Sequence, residues 1–279
     1  MKKIILFVLV VFMATVMVFG QAKTEREIKN LFSQIEKTND DNKKTQLANQ
    51  IQNKMIDALM EADDFWYDFP SLKNVGKVIS SDNQIHMYTW NVLLSDGTPQ
   101  YYALFQHYDF LATGEGTYIL SQGNPEVPST SGYVTRDNWY GALYYDIHPI
   151  KFKDKEVYLV FGLMTSTDGE TQHKVIDVMS FSKKAIKMGA SSFITPWTGK
   201  KKQHRVVFEY DKNAQMTLEY NKKKKTITFD HLVPARQTAD GKEVKAPDGS
   251  YDVLVFKKDI WTYKEDVSVK NKKEKKGKK

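Results

Sequence analysis

Short stretches of alternating apolar and polar residues, separated by turn residues, dominate the chain after Pro70. The pattern is clearest over residues 206–210, 216–220 and 227–229. Successive side chains of a strand point to opposite faces of a sheet, so this alternation predicts strands with one apolar face. No segment between them offers the helical crossover that a parallel sheet needs. The sequence therefore predicts a mainly β fold, an antiparallel meander closed as a sandwich, a barrel or a propeller-like array.

The alternation of apolar and polar residues over 205–232 predicts a three-stranded antiparallel meander with one solvated face. Turn residues at 211–213 and 221–225 separate its strands. Carboxylates on such a face suit glycoside hydrolysis or calcium binding, although a solvated sheet face explains them more simply. The charged residues assigned to this face are Arg205, Glu209, Glu219 and Asp230.

The pair Asp96-Gly97 marks the turn of a first hairpin. Because Asp-Gly is the signature of a two-residue type I′ turn, we expect a two-residue loop here. Counting back along both strands from that loop places His86 opposite His107.

The pair Asp168-Gly169 marks a second hairpin, in which Val160 lies opposite Asp177. Both faces of this hairpin are largely apolar. That pattern is typical of a central pair of strands that is covered on both sides.

Two helices are predicted before the β segment, over residues 25–37 and 43–60. The polar cluster at 38–42 ends the first helix and offers N-caps for the second. Each helix has one narrow apolar stripe, so we expect an antiparallel helical hairpin packed on the β body, with a coiled-coil contact to a partner as the alternative. The stripe residues are Ile28, Leu31, Phe32, Ile35, Leu47, Ile51, Met55 and Leu59.

The first 22 residues have the layout of a secretory signal peptide. Lys2 and Lys3 precede an uncharged apolar run over residues 4–19, followed by small residues at Gly20 and Ala22. The run is shorter than the roughly 20 residues of a membrane-spanning helix, and no later stretch approaches that length. We therefore expect export to the periplasm or the extracellular space. The predicted organisation is a signal peptide (1–22), a helical hairpin (23–64), an antiparallel β domain (65–269) and a disordered lysine-rich tail (270–279).

The basic character of the chain is concentrated at its ends. Of the net charge of +7, Lys2 and Lys3 contribute two charges, and residues 270–279 contribute six through seven lysines and Glu274. The remaining body carries −1, which argues against nucleic-acid binding. The tail is expected to be solvated, with contact to an anionic surface as the alternative.

Several reaction classes lack the residues that they need. The chain has no cysteine, which excludes thiol chemistry and disulfides. It also has no nucleophile elbow, P-loop, dinucleotide fingerprint or zinc-protease motif. No cofactor is predicted.

Four runs of residues, found in this order, carry a resemblance: 139–147 (WYGALYYDI), 174–178 (KVIDV), 205–234, which contains FDHL at 229–232, and 247–252 (PDGSYD). Together they resemble a group of exported proteins of unknown function from Gram-negative bacteria. The resemblance extends from about Phe65 to the tail. It implies export and a β-rich body, and it implies no catalytic or binding residue.

The candidate site residues are two histidines and three aspartates. If His86 and His107 are opposed, their Cα atoms lie about 4.5 Å apart, within reach of one metal ion, but no third ligand is evident. Asp177 lies in an apolar hairpin and must be paired or have a shifted pKa. It is either a general acid or base, with Asp146 or Asp230, or a structural residue that pairs with an arginine such as Arg136 or Arg205.

Aromatic residues are concentrated at 65–69 and 139–145. Exposed aromatic rows suit stacking on sugar rings or peptides, whereas their alternation favours a buried β core.

These patterns favour a non-enzymatic protein of the envelope or extracellular space that binds a glycan, a peptide or a protein partner. A glycan-directed hydrolase with paired carboxylates and a metal-binding module are the alternatives. The sequence leaves the ligand open.

Overall fold

The structure, a computed structural model, describes residues 22–61, 67–111, 115–122, 128–199 and 201–265. It is mainly β and almost wholly antiparallel, with two helices at the N-terminal end, so the predicted fold class is confirmed. Fifteen strands lie within the described residues: β1 (Gly76–Ile79), β2 (Ile85–Leu93), β3 (Pro99–His107), β4 (Thr117–Ser121), β5 (Val134–Thr135), β6 (Leu143–Phe152), β7 (Lys155–Thr165), β8 (Thr171–Ser182), β9 (Ala185–Met188), β10 (Phe193–Ile194), β11 (Val206–Asp211), β12 (Leu218–Asn221), β13 (Thr226–Gln237), β14 (Glu243–Lys257) and β15 (Ile260–Lys264).

The strands form three sheets. The first has the order β1-β2-β3-β4, the third has the order β10-β15-β14-β13-β12, and the central sheet has the order β5-β9-β8-β7-β6 with β11 added beside β8. The one parallel pair among these strands is β10 with β15. Of the arrangements predicted, stacked sheets of the sandwich type are the one observed.

Helix α1 covers residues 22–37 and α2 covers Asp41–Glu61, as the apolar stripes predict; a short helix α3 covers Tyr108–Leu111. Asp40 caps α2, because its Oδ1 accepts the backbone N–H of Lys43 at 3.1 Å. Asp41 accepts hydrogen bonds from the backbone N–H and the hydroxyl of Ser95, at 2.7 and 2.6 Å. These bonds tie the start of α2 to the β2–β3 loop.

Successive layers bury their apolar faces against one another. The helices cover one face of the first sheet, where residues such as Trp90 and Leu104 are buried. The other face of that sheet, with Met87 and Phe105, packs on the central sheet. The second face of the central sheet packs on the third sheet. The central sheet is therefore covered on both sides.

The hairpin β7–β8 has the register that its Asp-Gly turn predicts, with Val160 opposite Asp177. From Val157 to Gly162, every residue of β7 is buried. The prediction of a doubly covered central hairpin is confirmed.

The predicted register of the hairpin β2–β3 is wrong by one residue. Leu94 and Thr98 close a three-residue loop, in which Gly97 adopts a positive φ of 85° and Asp96 accepts the backbone N–H of Thr98 at 2.8 Å. A type I turn followed by a left-handed glycine adds one residue to the loop. His86 therefore lies opposite Gln106.

The predicted meander over residues 205–232 is correct only in its second half. β12 pairs with β13, but β11 pairs with β8 of the central sheet. The turn at 211–213 leads the chain from the central sheet to the third sheet. Arg205, assigned to a solvated face, is only 1% exposed.

The aromatic segment 139–145 is largely core, as predicted, because Trp139, Tyr140 and Tyr144 are buried. Phe69 is also buried, whereas Phe65 and Trp66 lie outside the described residues. Most of the predicted signal peptide and the predicted tail also lie outside them. None of the helices in the described part of the chain is long and apolar enough to cross a membrane.

Replacing Ile51 tests whether α2 packs on the first sheet. Ile51 is fully buried, so Ile51→Ala is expected to lower the free energy of unfolding by about 2–5 kcal/mol, measured by urea denaturation. The neighbouring exposed residue is the control, since Gln50→Ala is expected to change it by less than about 0.5 kcal/mol. Equal effects of the two substitutions would mean that the helix stripe faces a partner instead.

Candidate functional site

A cavity of about 460 Å³ lies where β11, the strands β13–β15 and the short 3₁₀ turn Pro196–Thr198 meet. Its walls combine aromatic rings with charged groups. The residues used below are Trp197, Phe208, His231, Asp252 and Tyr263.

Trp197 lies on the rim of the cavity and is 50% exposed. Pro196 starts the turn that carries it, and Gly199 ends that turn with a φ of 65°. The indole packs edge-on against Phe208 and Tyr263, with ring centroids 6.2 and 5.6 Å away. One side of the ring is thus fixed by the protein while half of its surface remains open to a ligand.

His231, Asp252 and Tyr263 form a hydrogen-bonded set in the cavity wall. Asp252 Oδ2 lies 2.8 Å from Nδ1 of His231 and accepts the Tyr263 hydroxyl at 2.7 Å. The hydrogen bond to Asp252 raises the pKa of His231. The pKa of Tyr263 is raised mainly by burial and, to a smaller extent, by its hydrogen bond to the same carboxylate. Asp252 therefore orients both side chains.

A register shift in β13, between Asp230 and Leu232, shapes this wall. In a regular strand, the neighbouring residues Asp230 and His231 would point to opposite faces. A bulge breaks that alternation, and both residues line the cavity.

Carboxylates outnumber cationic groups in the lining. Five carboxylates line the cavity, against one lysine, Lys245, and one histidine, His231. Three of the five are engaged by neighbours. Asp252 contacts His231 and Tyr263, Glu209 forms an ion pair with Lys242, and Asp230 accepts the backbone N–H of Thr217 at 2.6 Å. The cavity remains acidic.

Asp177 is held in a buried ion pair rather than in a cleft. Its Oδ2 lies 2.8 Å from Nε of Arg205, one of the two arginines expected to pair with it, and accepts the Tyr140 hydroxyl at 3.2 Å. Its Oδ1 accepts the backbone N–H of Val178 at 2.7 Å. Burial raises the pKa of Asp177, and Arg205 opposes that shift. Arg205 also donates to the carbonyl oxygens of Ser129 and Gly132, so the pair fixes this loop to the central sheet.

Asp146 lies on the opposite face of the central sheet from Asp177. It is opposite Phe161, whereas Asp177 is opposite Val160, and neighbouring residues of a strand face opposite ways. Asp146 accepts a hydrogen bond from its own neighbour and lies 2.8 Å from His148. Of the three candidate aspartates, Asp230 is the one that lines the cavity.

The two candidate histidines are not opposed across β2 and β3. His86 lies 3.3 Å from the Tyr88 hydroxyl, and the His107 ring stacks on Phe110 at 4.2 Å. The prediction of an opposed pair is wrong because the loop between the strands has three residues. In the described part of the chain, no group of three or more His, Cys, Asp or Glu side chains is arranged to hold a metal ion.

A second cavity, of about 320 Å³, lies between α2 and the strands β3 and β4. Its lining is uncharged and includes the amides of Asn49, Gln52, Gln100 and Gln122. Its tyrosines, Tyr101 and Tyr102, are buried, so it presents no open aromatic ring. The Trp197 cavity is therefore the stronger candidate site.

Sequence reasoning missed Trp197, His231, Asp252 and Tyr263. The segment Thr195-Pro196-Trp197-Thr198-Gly199 did hold a signal, because a proline and a glycine around a tryptophan indicate a tight turn that presents the ring. The other three residues are adjacent only through the pairing of β13, β14 and β15 and a bulge, which no local pattern encodes.

Comparisons with protein-family models, with curated proteins and with solved structures found no match. The resemblance to exported proteins of Gram-negative bacteria stays a prediction.

Removing Asp177 tests the buried pair. Asp177→Ala leaves the Arg205 guanidinium buried without its carboxylate, so the free energy of unfolding is expected to fall by about 3–5 kcal/mol. Asp146→Ala, which breaks a half-exposed pair, is the control and is expected to cost under about 1 kcal/mol. Similar losses in both variants, measured by urea denaturation, would contradict a structural role specific to Asp177.

Proposed function

We propose that the protein is an exported, non-enzymatic binding protein of the envelope or extracellular space, which takes a glycan, a peptide or a segment of a partner protein in the Trp197 cavity. The observation that carries the proposal is a tryptophan held by two aromatic neighbours with half of its surface exposed over a cavity. Tryptophan is enriched among residues that dominate binding energy.

The exposure of Trp197 contrasts with the rest of the tryptophans in the described residues. Trp90, Trp139 and Trp261 are fully buried. An exposed indole forgoes the free energy of burial, and its turn and its two ring contacts restrict its orientation. A ring restrained in this way loses little conformational entropy when a sugar ring or an aliphatic stem packs on it.

Export rests on the first 22 residues, with their two lysines, apolar run and small residues. In that setting the lysine-rich segment 270–279 supplies a second contact, to an anionic surface. The absence of nucleotide-binding and thiol motifs from the sequence is consistent with a protein that binds its ligand outside the cytoplasm.

Trp197→Ala tests the proposal. The purified protein is screened against oligosaccharides and peptides, and each ligand found is titrated by calorimetry. We expect Trp197→Ala to weaken binding at least about tenfold, because the ring supplies the apolar contact. Tyr133→Ala is the matched control, since Tyr133 is 51% exposed and does not line the cavity.

Equal binding by both variants would contradict the Trp197 site. Release of shorter saccharides during the same incubation would instead support the hydrolase alternative, for which Asp230 is the one of the three candidate aspartates that lines the cavity.

A further inference from the structure

Among the strands of the described residues, β11 is hydrogen-bonded to a neighbour on one side only. It pairs with β8, and the backbone N–H of Lys212 continues that ladder to the carbonyl oxygen of Glu170 at 3.2 Å. Backbone groups alternate between the two sides of an antiparallel strand, so the even-numbered residues face β8 and Val207 and Glu209 face away. Within the described residues, the backbone groups of Val207 and Glu209 have no backbone partner on that outer side.

This free edge opens on the Trp197 cavity. Val207 and Glu209 are half-buried, and both line the cavity. An unpaired strand edge is a ready template for another strand, and adding a strand to an edge is a recurring mode of peptide recognition. A glycan has no peptide backbone, so it cannot present N–H and C=O groups at the spacing of such an edge.

The negative charge of the cavity favours basic side chains on a strand added at this edge. Glu243 and Glu265 are exposed on its walls, and neither forms a salt bridge with another residue that the structure describes. The open face of Trp197 lies at the same cavity and favours a cation above the ring. An acidic strand or a nucleic acid would be repelled by the carboxylate excess.

We propose that the cavity binds an extended peptide that pairs with the outer edge of β11 and places a lysine or arginine side chain between Trp197 and the carboxylates Glu243 and Glu265. This inference rests on the proposed binding function and names its ligand class. Every second side chain of the added strand points to the cavity, so basic residues at alternate positions are preferred.

The probe is a synthetic peptide in which lysine alternates with valine, titrated against the full chain by calorimetry. A peptide with glutamine in place of lysine is its neutral match, and chitohexaose is the glycan probe. We expect the lysine peptide to bind at least about tenfold more tightly than the glutamine peptide, with an affinity that falls as salt is raised.

Substituted proteins separate the contribution of charge. Glu243→Gln combined with Glu265→Gln is expected to remove most of the preference for lysine, and both positions are exposed, so the fold should tolerate the change. Glu156→Gln, at an exposed position outside the cavity, is the control and is expected to leave binding unchanged.

Methylated peptides separate the contribution of backbone pairing. In one peptide the valine amides are N-methylated, and in the other the lysine amides are. One set of amides faces β11 and the other faces solvent, so we expect only one of the two methylated peptides to lose binding. Equal binding by both would overturn the pairing with β11.

The outcomes also distinguish the two proposals. Binding of chitohexaose with no binding of the lysine peptide would overturn the peptide inference and leave the binding function standing. If the glutamine peptide binds as well as the lysine peptide, the charge preference is wrong. If no oligosaccharide or peptide binds, both proposals fail.

Discussion

The fold depends on the burial of both faces of the β7–β8 hairpin. One face packs on the first sheet and the other on the third, so polar side chains in this hairpin must find partners within the protein. Asp177 meets that requirement through Arg205, whose remaining donors reach the loop at 129–132. A buried ion pair of this kind is costly to break and fixes the orientation of what it joins.

The same arrangement creates the candidate site. β11 extends the central sheet, and the chain then crosses to the third sheet, which leaves β11 beside β14. Ion pairs of Lys242 with Asp168 and of Arg236 with Asp211 hold the far end of the β13–β14 hairpin against the β7–β8 turn and β11. The cavity is the space enclosed between these elements and the Trp197 turn.

In this chain, sequence patterns predict the helices and strands better than they predict which strands pair. The stripes of α1 and α2 and the apolar β7–β8 hairpin are strong local signals, and each was correct. The predicted register at Asp96-Gly97 was wrong because the same dipeptide occurs in both two- and three-residue loops. The predicted partner of β11 was wrong because alternation identifies a strand but not the strand that pairs with it. His231 was missed because a bulge changes the side of the strand to which a residue points.

Amide hydrogen exchange of the unliganded protein tests most directly whether β11 is an open edge of the doubly covered sheet. The account predicts slow exchange throughout the centres of β7 and β8. In β11 it predicts alternation, with Phe208 and Tyr210 protected by β8 and Val207 and Glu209 exchanging far faster. Uniform protection of all four amides would contradict it, because the outer edge would then already be paired.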